Sequence, residues 1–246
     1  MNYQQELTEQ HSIDCYWESH EVVSGKEYIY PSLPEPYINL YFPIASNDAA
    51  RVKGISSRPD YLSVKCKLFG VRLFLKGFLQ LDLCPAHVIS NKLLDVNTIA
   101  KGREKVLSKQ LSEANTFENR IAIFKCYFEE KKDHPLPLQD IRLSTAFQYL
   151  IEHYRSPNIV LEYAKKEGIS ERTLHRWFNE GIGISPKNLA QITRFHSALY
   201  QLHAHEEPGF YFDYGYFDQA HFIRDFKKYT GYTPKNYIRY TSDLYN

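Results

Sequence analysis

Arg172 and Arg176 stand four residues apart in "SERTLHRWFNEGIGISPKN" (170–188), and Arg224 stands among His221, Lys227 and Lys228 in "DQAHFIRDFKKYTGYTPKN" (218–236). Residues three and four apart share one face of a helix, so each stretch would gather cations and hydrogen-bond donors on one side. A guanidinium placed there can fork onto guanine O6 and N7 or onto a phosphate, and the spacing does not separate the two. Gln219 adds a side-chain amide able to pair with an adenine edge, or to serve next to a helix cap.

The two stretches align without a gap at an offset of 48 residues, sharing the pattern R-x-F-x-x-x-x-G-x-[ST]-P-K-N. Each copy carries its own physics. Ser170 and Asp218 are N-cap residues, able to accept the unpaired amide protons of the following turn. Gly183 and Gly231 are placed to end a helix in the left-handed conformation. Pro186 and Pro234 suit the first position of a further helix. Leu174, Trp177 and Phe178 gather on one side of the first helix, Phe222 and Phe226 on one side of the second, which fixes the core faces. Opposite them lie Arg172, Arg176 and Asn179 in one copy, and Ala220, His221, Arg224, Lys227 and Lys228 in the other.

Each copy follows a further segment and a glycine, Gly168 in the first and Gly215 in the second. Helix, tight turn and helix with an exposed polar ridge is the layout of a helix-turn-helix reader. The helical pattern runs through 143–154, 158–168, 170–180 and 186–202, which suits a compact helical domain.

The preceding half reads differently. "YINLYFPI" (37–44) and "YLSVKCKLFGVRLFL" (61–75) are rich in β-branched and aromatic residues, with Val64, Cys66 and Leu68, then Val71, Leu73 and Leu75, alternating with polar or outward positions. Gly70 is expected at a bulge or bend. After Val96 the period becomes helical, with Ile99, Val106, Leu107, Leu111, Phe117, Ile121, Ile123, Phe124 and Phe128 on apolar stripes. "EEKKDHPLPLQD" (129–140) is charged and holds two prolines, so it breaks the helix and marks a boundary.

Hydrophobic residues at 43% and charged residues at 24% are those of a folded globular chain. No apolar run approaches the ~20 residues of a membrane helix, and the N-terminus lacks a basic start and an apolar core, so a cytoplasmic location is expected. The net charge is +1, with 17 basic and 18 acidic residues up to 140 and 13 and 11 beyond it, so any nucleic-acid reading rests on where charges sit. Cys15, Cys66, Cys84 and Cys126 form no C-x-x-C pair and read as reduced thiols. His11, His20, His87 and His134 are too dispersed for a two-histidine, one-carboxylate metal site. "HAHEEPG" (203–209) reads as solvent-facing loop, and the tyrosine-rich "YFDYGYF" (211–217) as core packing. No phosphate loop or nucleophile elbow is present, so no catalytic residue, metal or cofactor is expected.

These residues resemble the DNA-binding domain of the AraC family of transcriptional regulators, in which two helix-turn-helix units are joined by a long helix. The second-unit signature is met by Gly215, Tyr216, Asp218, Ala220, Phe222, Arg224, Phe226, Lys227, Gly231, Thr233, Pro234 and Tyr237. The first-unit signature is met by Ser170, Arg172, Leu174, Arg176 and Phe178. The resemblance covers about the last 100 residues. It implies base-contact candidates Arg172, Thr173, Arg176, Gln219, Ala220, His221 and Arg224. It implies phosphate candidates Asn179, Lys187, Lys227, Lys228 and Lys235. Pro186 to Leu202 would be the joining helix. Tyr211 stands where the family usually has a small residue, with Pro208 and Gly209 close by, so the first helix of the second unit is expected to be short or tilted.

The expected fold class is α+β. Residues 1–133 form a β-rich, cupin-like or barrel-like domain with flanking helices that senses a small molecule or mediates self-association. Residues 134–140 are a linker, and 141–246 an all-α double helix-turn-helix domain. The expected function is sequence-specific transcription regulation on promoter DNA, with a small-molecule effector, RNA polymerase and a second copy as candidate partners and no membrane. The alternative is a small-molecule-binding or metal-dependent β-domain whose helical region is an assembly module.

Overall fold

In the computed structural model the described residues are 3–8, 12–19, 27–99, 102–202 and 210–245. His11, His20 and the whole of "HAHEEPG", with Pro208 and Gly209, lie outside them.

Strands β1 (Tyr3–Leu7), β2 (Ile13–Ser19), β3 (Tyr28–Ser32), β4 (Ile38–Pro43), β5 (Arg51–Lys53), β6 (Asp60–Val64) and β7 (Leu68–Leu73) lead into helices α1 (Leu75–Leu81) and α2 (Ala86–Ile89). Strand β8 (Leu93–Asp95) and helices α3 (Val96–Ile99), α4 (Arg103–Glu113) and α5 (Phe117–Lys132) follow. The strands form a six-stranded antiparallel sheet, β1-β2-β7-β4-β5-β8, and a two-stranded sheet, β3-β6.

Strand β4 is buried along its whole length because both sheet faces are covered. Ile38, Leu40 and Phe42 join Phe69, Val71 and Leu73 in a core shared with Leu107, Leu111, Ile121, Phe124 and Phe128 of α4 and α5. Tyr41 and Leu68 meet Leu62 and Val64 of the small sheet on the other face. Two-sided burial explains a continuous apolar run where a half-exposed strand would alternate.

Three sequence expectations change here. Gly70 is no bulge: it lies within β7, paired with Trp17 and Tyr41, and a side chain there would fall 2.0 Å from the Trp17 ring. The break comes at residues 65–67, and the register shift lies in β2, between Ile13 and Cys15. Leu75 and Lys76 belong to α1 instead of the strand, so the helices begin well before Val96.

A buried charge network ties sheet to helices. Arg120 on α5 donates from Nη1 to Glu18 of β2 at 2.8 Å and from Nε to the Leu111 carbonyl at 3.1 Å. Lys67 reaches the other Glu18 oxygen.

The helical half comprises α6 (Leu138–Glu152), α7 (Ile159–Lys166), α8 (Glu171–Ile182), α9 (Pro186–Leu202), a 3-10 turn (Phe210–Tyr214), α10 (Gln219–Thr230) and α11 (Pro234–Tyr245). No helix among the described residues is long and apolar enough to cross a membrane. Residues 133–137 separate α5 from α6, yet the core does not stop there. The cluster under the sheet continues through Leu143, Phe147, Leu174, Phe178, Ile182, Leu189 and Ile192. Phe195, Ala198, Leu202, Tyr216, Phe222, Phe226 and Tyr229 form a separate cluster.

Candidate nucleic-acid interface

The two copies of the repeat fold by the same local chemistry. Ser170 Oγ accepts the Thr173 amide at 3.0 Å, and Asp218 Oδ1 accepts the His221 amide at 2.6 Å, so α8 and α10 begin on the expected caps. Both end on left-handed glycines, Gly183 at φ 70° and Gly231 at φ 79°, whose amides close the last turn onto Phe178 and Lys227 carbonyls. Ser185 and Thr233 then accept the amides of Asn188 and Asn236 at 3.2 and 3.4 Å, and Pro186 and Pro234 open α9 and α11.

Leu174 and Phe178 are buried on the inner side of α8, and Phe222 and Phe226 on that of α10. Arg172, Arg176 and Asn179 are exposed along α8. On α10, Gln219, Ala220, Arg224, Lys227 and Lys228 are exposed. Lys187 and Lys235, each just inside the helix that follows, are exposed as well. Two candidates are partly engaged elsewhere. The Thr173 hydroxyl lies 2.9 Å from Ser170 Oγ and belongs to the cap. His221 is half-buried, edge-on to Tyr216 with ring centroids 5.2 Å apart, and 3.7 Å from Asp225. Arg239 on α11 is a further exposed cation, which the repeat missed because it lies beyond Asn236.

The segments ahead of the two recognition helices differ. Ahead of α8 stands the regular helix α7, with Gly168 at φ 65° in the turn. Ahead of α10 the described chain makes one 3-10 turn, then Gly215 at φ 79°, whose missing side chain lets it lie against the Arg155 backbone, 2.8 Å from where a Cβ would be. Tyr211 is accommodated by stacking on Phe222, with centroids 5.5 Å apart and planes 10° from parallel. The tyrosine-rich segment is only partly core: Tyr216 is buried, but Phe212 and Phe217 are exposed.

Helix α9 joins the units and also touches the sheet. Arg72 of β7 donates from Nε to Asp14 at 2.6 Å and from Nη1 to the Tyr200 hydroxyl at 3.3 Å, while its guanidinium lies 4.7 Å from the Tyr37 ring centre. His196 of α9 packs between Tyr37 and Tyr200 at 5.3 and 5.1 Å. Loss of hydration, aided by the Arg72 charge, pushes its pKa down to about 3, so the ring stays neutral near neutral pH. Cys15 is free and buried, and burial pushes its thiol up to about 12. Within the second unit Arg194 Nε, Tyr216 Oη and Asp225 Oδ2 are buried without a hydrogen-bond partner.

Residues 163–240 match the family model described as "Helix-turn-helix domain". This region is an AraC-type helix-turn-helix domain. It contains both recognition helices and all of α9. No curated protein matches the chain. Among solved structures, an apo lysine-to-alanine variant of ToxT from Vibrio cholerae aligns with 94% of this chain and 98% of its own, at 11% identity and a TM-score of 0.50. ToxT at 1.65 Å aligns with 96% and 98%, at 12% identity and a TM-score of 0.48. Unsaturated-fatty-acid-bound wild-type ToxT aligns with 93% and 95%, at 10% identity and a TM-score of 0.48. The apo variant shows the fold: a β-rich N-terminal part followed by the helix-turn-helix domain, so the α+β class holds across nearly the whole chain.

Proposed function

We propose that the protein is a transcription regulator whose α8 and α10 enter successive major-groove segments on one face of a promoter. One observation carries this reading: two identically capped helices in a repeated frame, each burying an aromatic side and exposing arginine on the other. Arg172, Arg176, Gln219, Ala220 and Arg224 are assigned to base edges, with Thr173 and His221 beside them. Asn179, Lys187, Lys227, Lys228 and Lys235 are assigned to phosphates.

Helix α9 has 17 residues. It therefore rises roughly 26 Å, and recognition helices packed ~8–10 Å from its axis bring the readers to the order of one DNA turn, ~34 Å.

Residues 141–246 are taken as the DNA-binding part and 1–133 as the part that answers a small-molecule effector or pairs two copies, with 134–140, whose last three residues already belong to the first turn of α6, between them. Contact of Arg72 and Tyr37 with α9 gives the sheet a direct hold on the joining helix. RNA polymerase is the candidate further partner of this role, and the cytoplasm its place of action. The reading assigns no catalytic step.

Footprinting on selected duplexes, repeated across a salt series, tests it. Two protected segments about one turn (~34 Å) apart are expected. Affinity should fall steeply with salt, at a slope of about −0.9 per phosphate neutralised. No protected site, or a flat salt response, overturns the reading.

A further inference from the structure

Phe217 is 85% exposed, the most exposed of the large hydrophobic residues described. It directly precedes Asp218, the N-cap of α10, so it stands where a hydrophobic residue ordinarily folds back onto the fourth helical residue as a staple. That fourth residue is Phe222, already covered by Tyr211 stacked on it and by Phe210 and Tyr216 against its edges. The staple position is taken, and the Phe217 ring is left in water.

The first copy shows the contrast. Ile169 occupies the equivalent place before Ser170, and it packs against the core cluster containing Leu174, the fourth residue of α8. One sequence position thus faces inward in the first unit and outward in the second.

The outward ring sits at the end of a recognition helix that reaches bases first, next to exposed Gln219 and Ala220. In a duplex the bases are stacked and only their edges face the groove. The one apolar group on those edges in the major groove is the 5-methyl of thymine.

We infer that Phe217 is a specificity-determining residue that packs on the 5-methyl group of a thymine at the start of the α10 half-site. This rests on the DNA-binding reading above. It extends that reading from polar contacts to an apolar one that the first unit, with Ile169 turned inward, does not have.

The test replaces each thymine of the selected site in turn by deoxyuridine, which lacks only the methyl, and measures binding of the full chain. For the wild type, one position in the α10 half-site should weaken binding by about four-fold, the worth of one buried methyl. Phe217→Ala should bind the unmodified site less tightly and be indifferent to deoxyuridine at that position, whereas Phe217→Leu should keep the sensitivity. Because the ring touches solvent, both variants should melt with the wild type.

If the alanine variant binds as tightly as wild type, or the deoxyuridine penalty persists in it unchanged, the inference fails while DNA binding stands. Wild-type protein that protects no duplex overturns the DNA-binding reading itself, which the unmodified site reports separately.

Discussion

The first helix-turn-helix unit grows out of the core beneath the sheet, whereas the second keeps a core of its own. Phe178 and Ile182 of α8 belong to the same buried cluster as Leu40 and Phe124, and Gly183 lies against Ser90 just after α2. Phe222 and Phe226 of α10 sit instead in an aromatic cluster with Phe195 and Tyr229, and Arg194 Nε, Tyr216 Oη and Asp225 Oδ2 are buried in the same unit without a hydrogen bond. The difference teaches that identical local chemistry does not give equal anchorage. The caps and terminal glycines build the readers alike, but the sheet positions the first and α9 carries the second.

The largest effect should come from breaking each core. Phe178→Ala and Phe226→Ala each remove a fully buried ring and should cost about 3–5 kcal/mol. In hydrogen exchange, Phe178→Ala should loosen β4, β7 and α5 together with α8, while Phe226→Ala should loosen α10 and spare the sheet. Equal loosening of the sheet by both would dissolve the distinction.

Next in size, Arg176→Ala and Arg224→Ala should each cost ~1–3 kcal/mol in binding to the selected site if they read bases. Equal losses on random duplex would reassign them to phosphates. Ser170→Ala and Asp218→Ala should each cost about 1 kcal/mol in stability through the lost cap. Calorimetry should register the Asp218 loss in the second unit alone.

The last effect is absent at neutral pH and opens only in acid: a pH dependence at the α9–sheet contact. His196 is held near 3 when folded, against an ordinary value of 6.5. Above the ordinary value the ring is neutral in both states and contributes no pH dependence. As pH falls from 6.5 towards 3 the unfolded chain takes up a proton that the folded chain refuses, so stability is lost across that window. His196→Phe should flatten this part of the stability–pH curve. An unchanged curve would show that the contact opens before the ring titrates.

The repeat was legible because its signals are local. Ser170, Asp218, Gly183, Gly231, Pro186 and Pro234 act on residues within a turn of themselves, and the structure puts each at the helix end its chemistry suggests. Helix α1 was not legible, because Leu75 continues the alternation of β7 and only packing shows that Phe78 and Leu81 face the core. The Glu18–Arg120 pair joins residues far apart in sequence, and no local pattern announces it. The outward turn of Phe217 escaped for a different reason: it depends on Tyr211 having already covered Phe222. Arg172, Arg176 and Arg224 were nameable as exposed, but their division between base and phosphate depends on the partner.

Helix α9 begins at a proline and runs without interruption to Leu202. A rod of this kind fixes angle as well as distance. Adding one residue to it would advance the second unit by only about 1.5 Å but swing it around the rod by about 100°. The number of residues in α9 thus acts as a phase setting. A promoter whose half-sites drifted by a single base pair would be met by a protein that cannot follow in a single step.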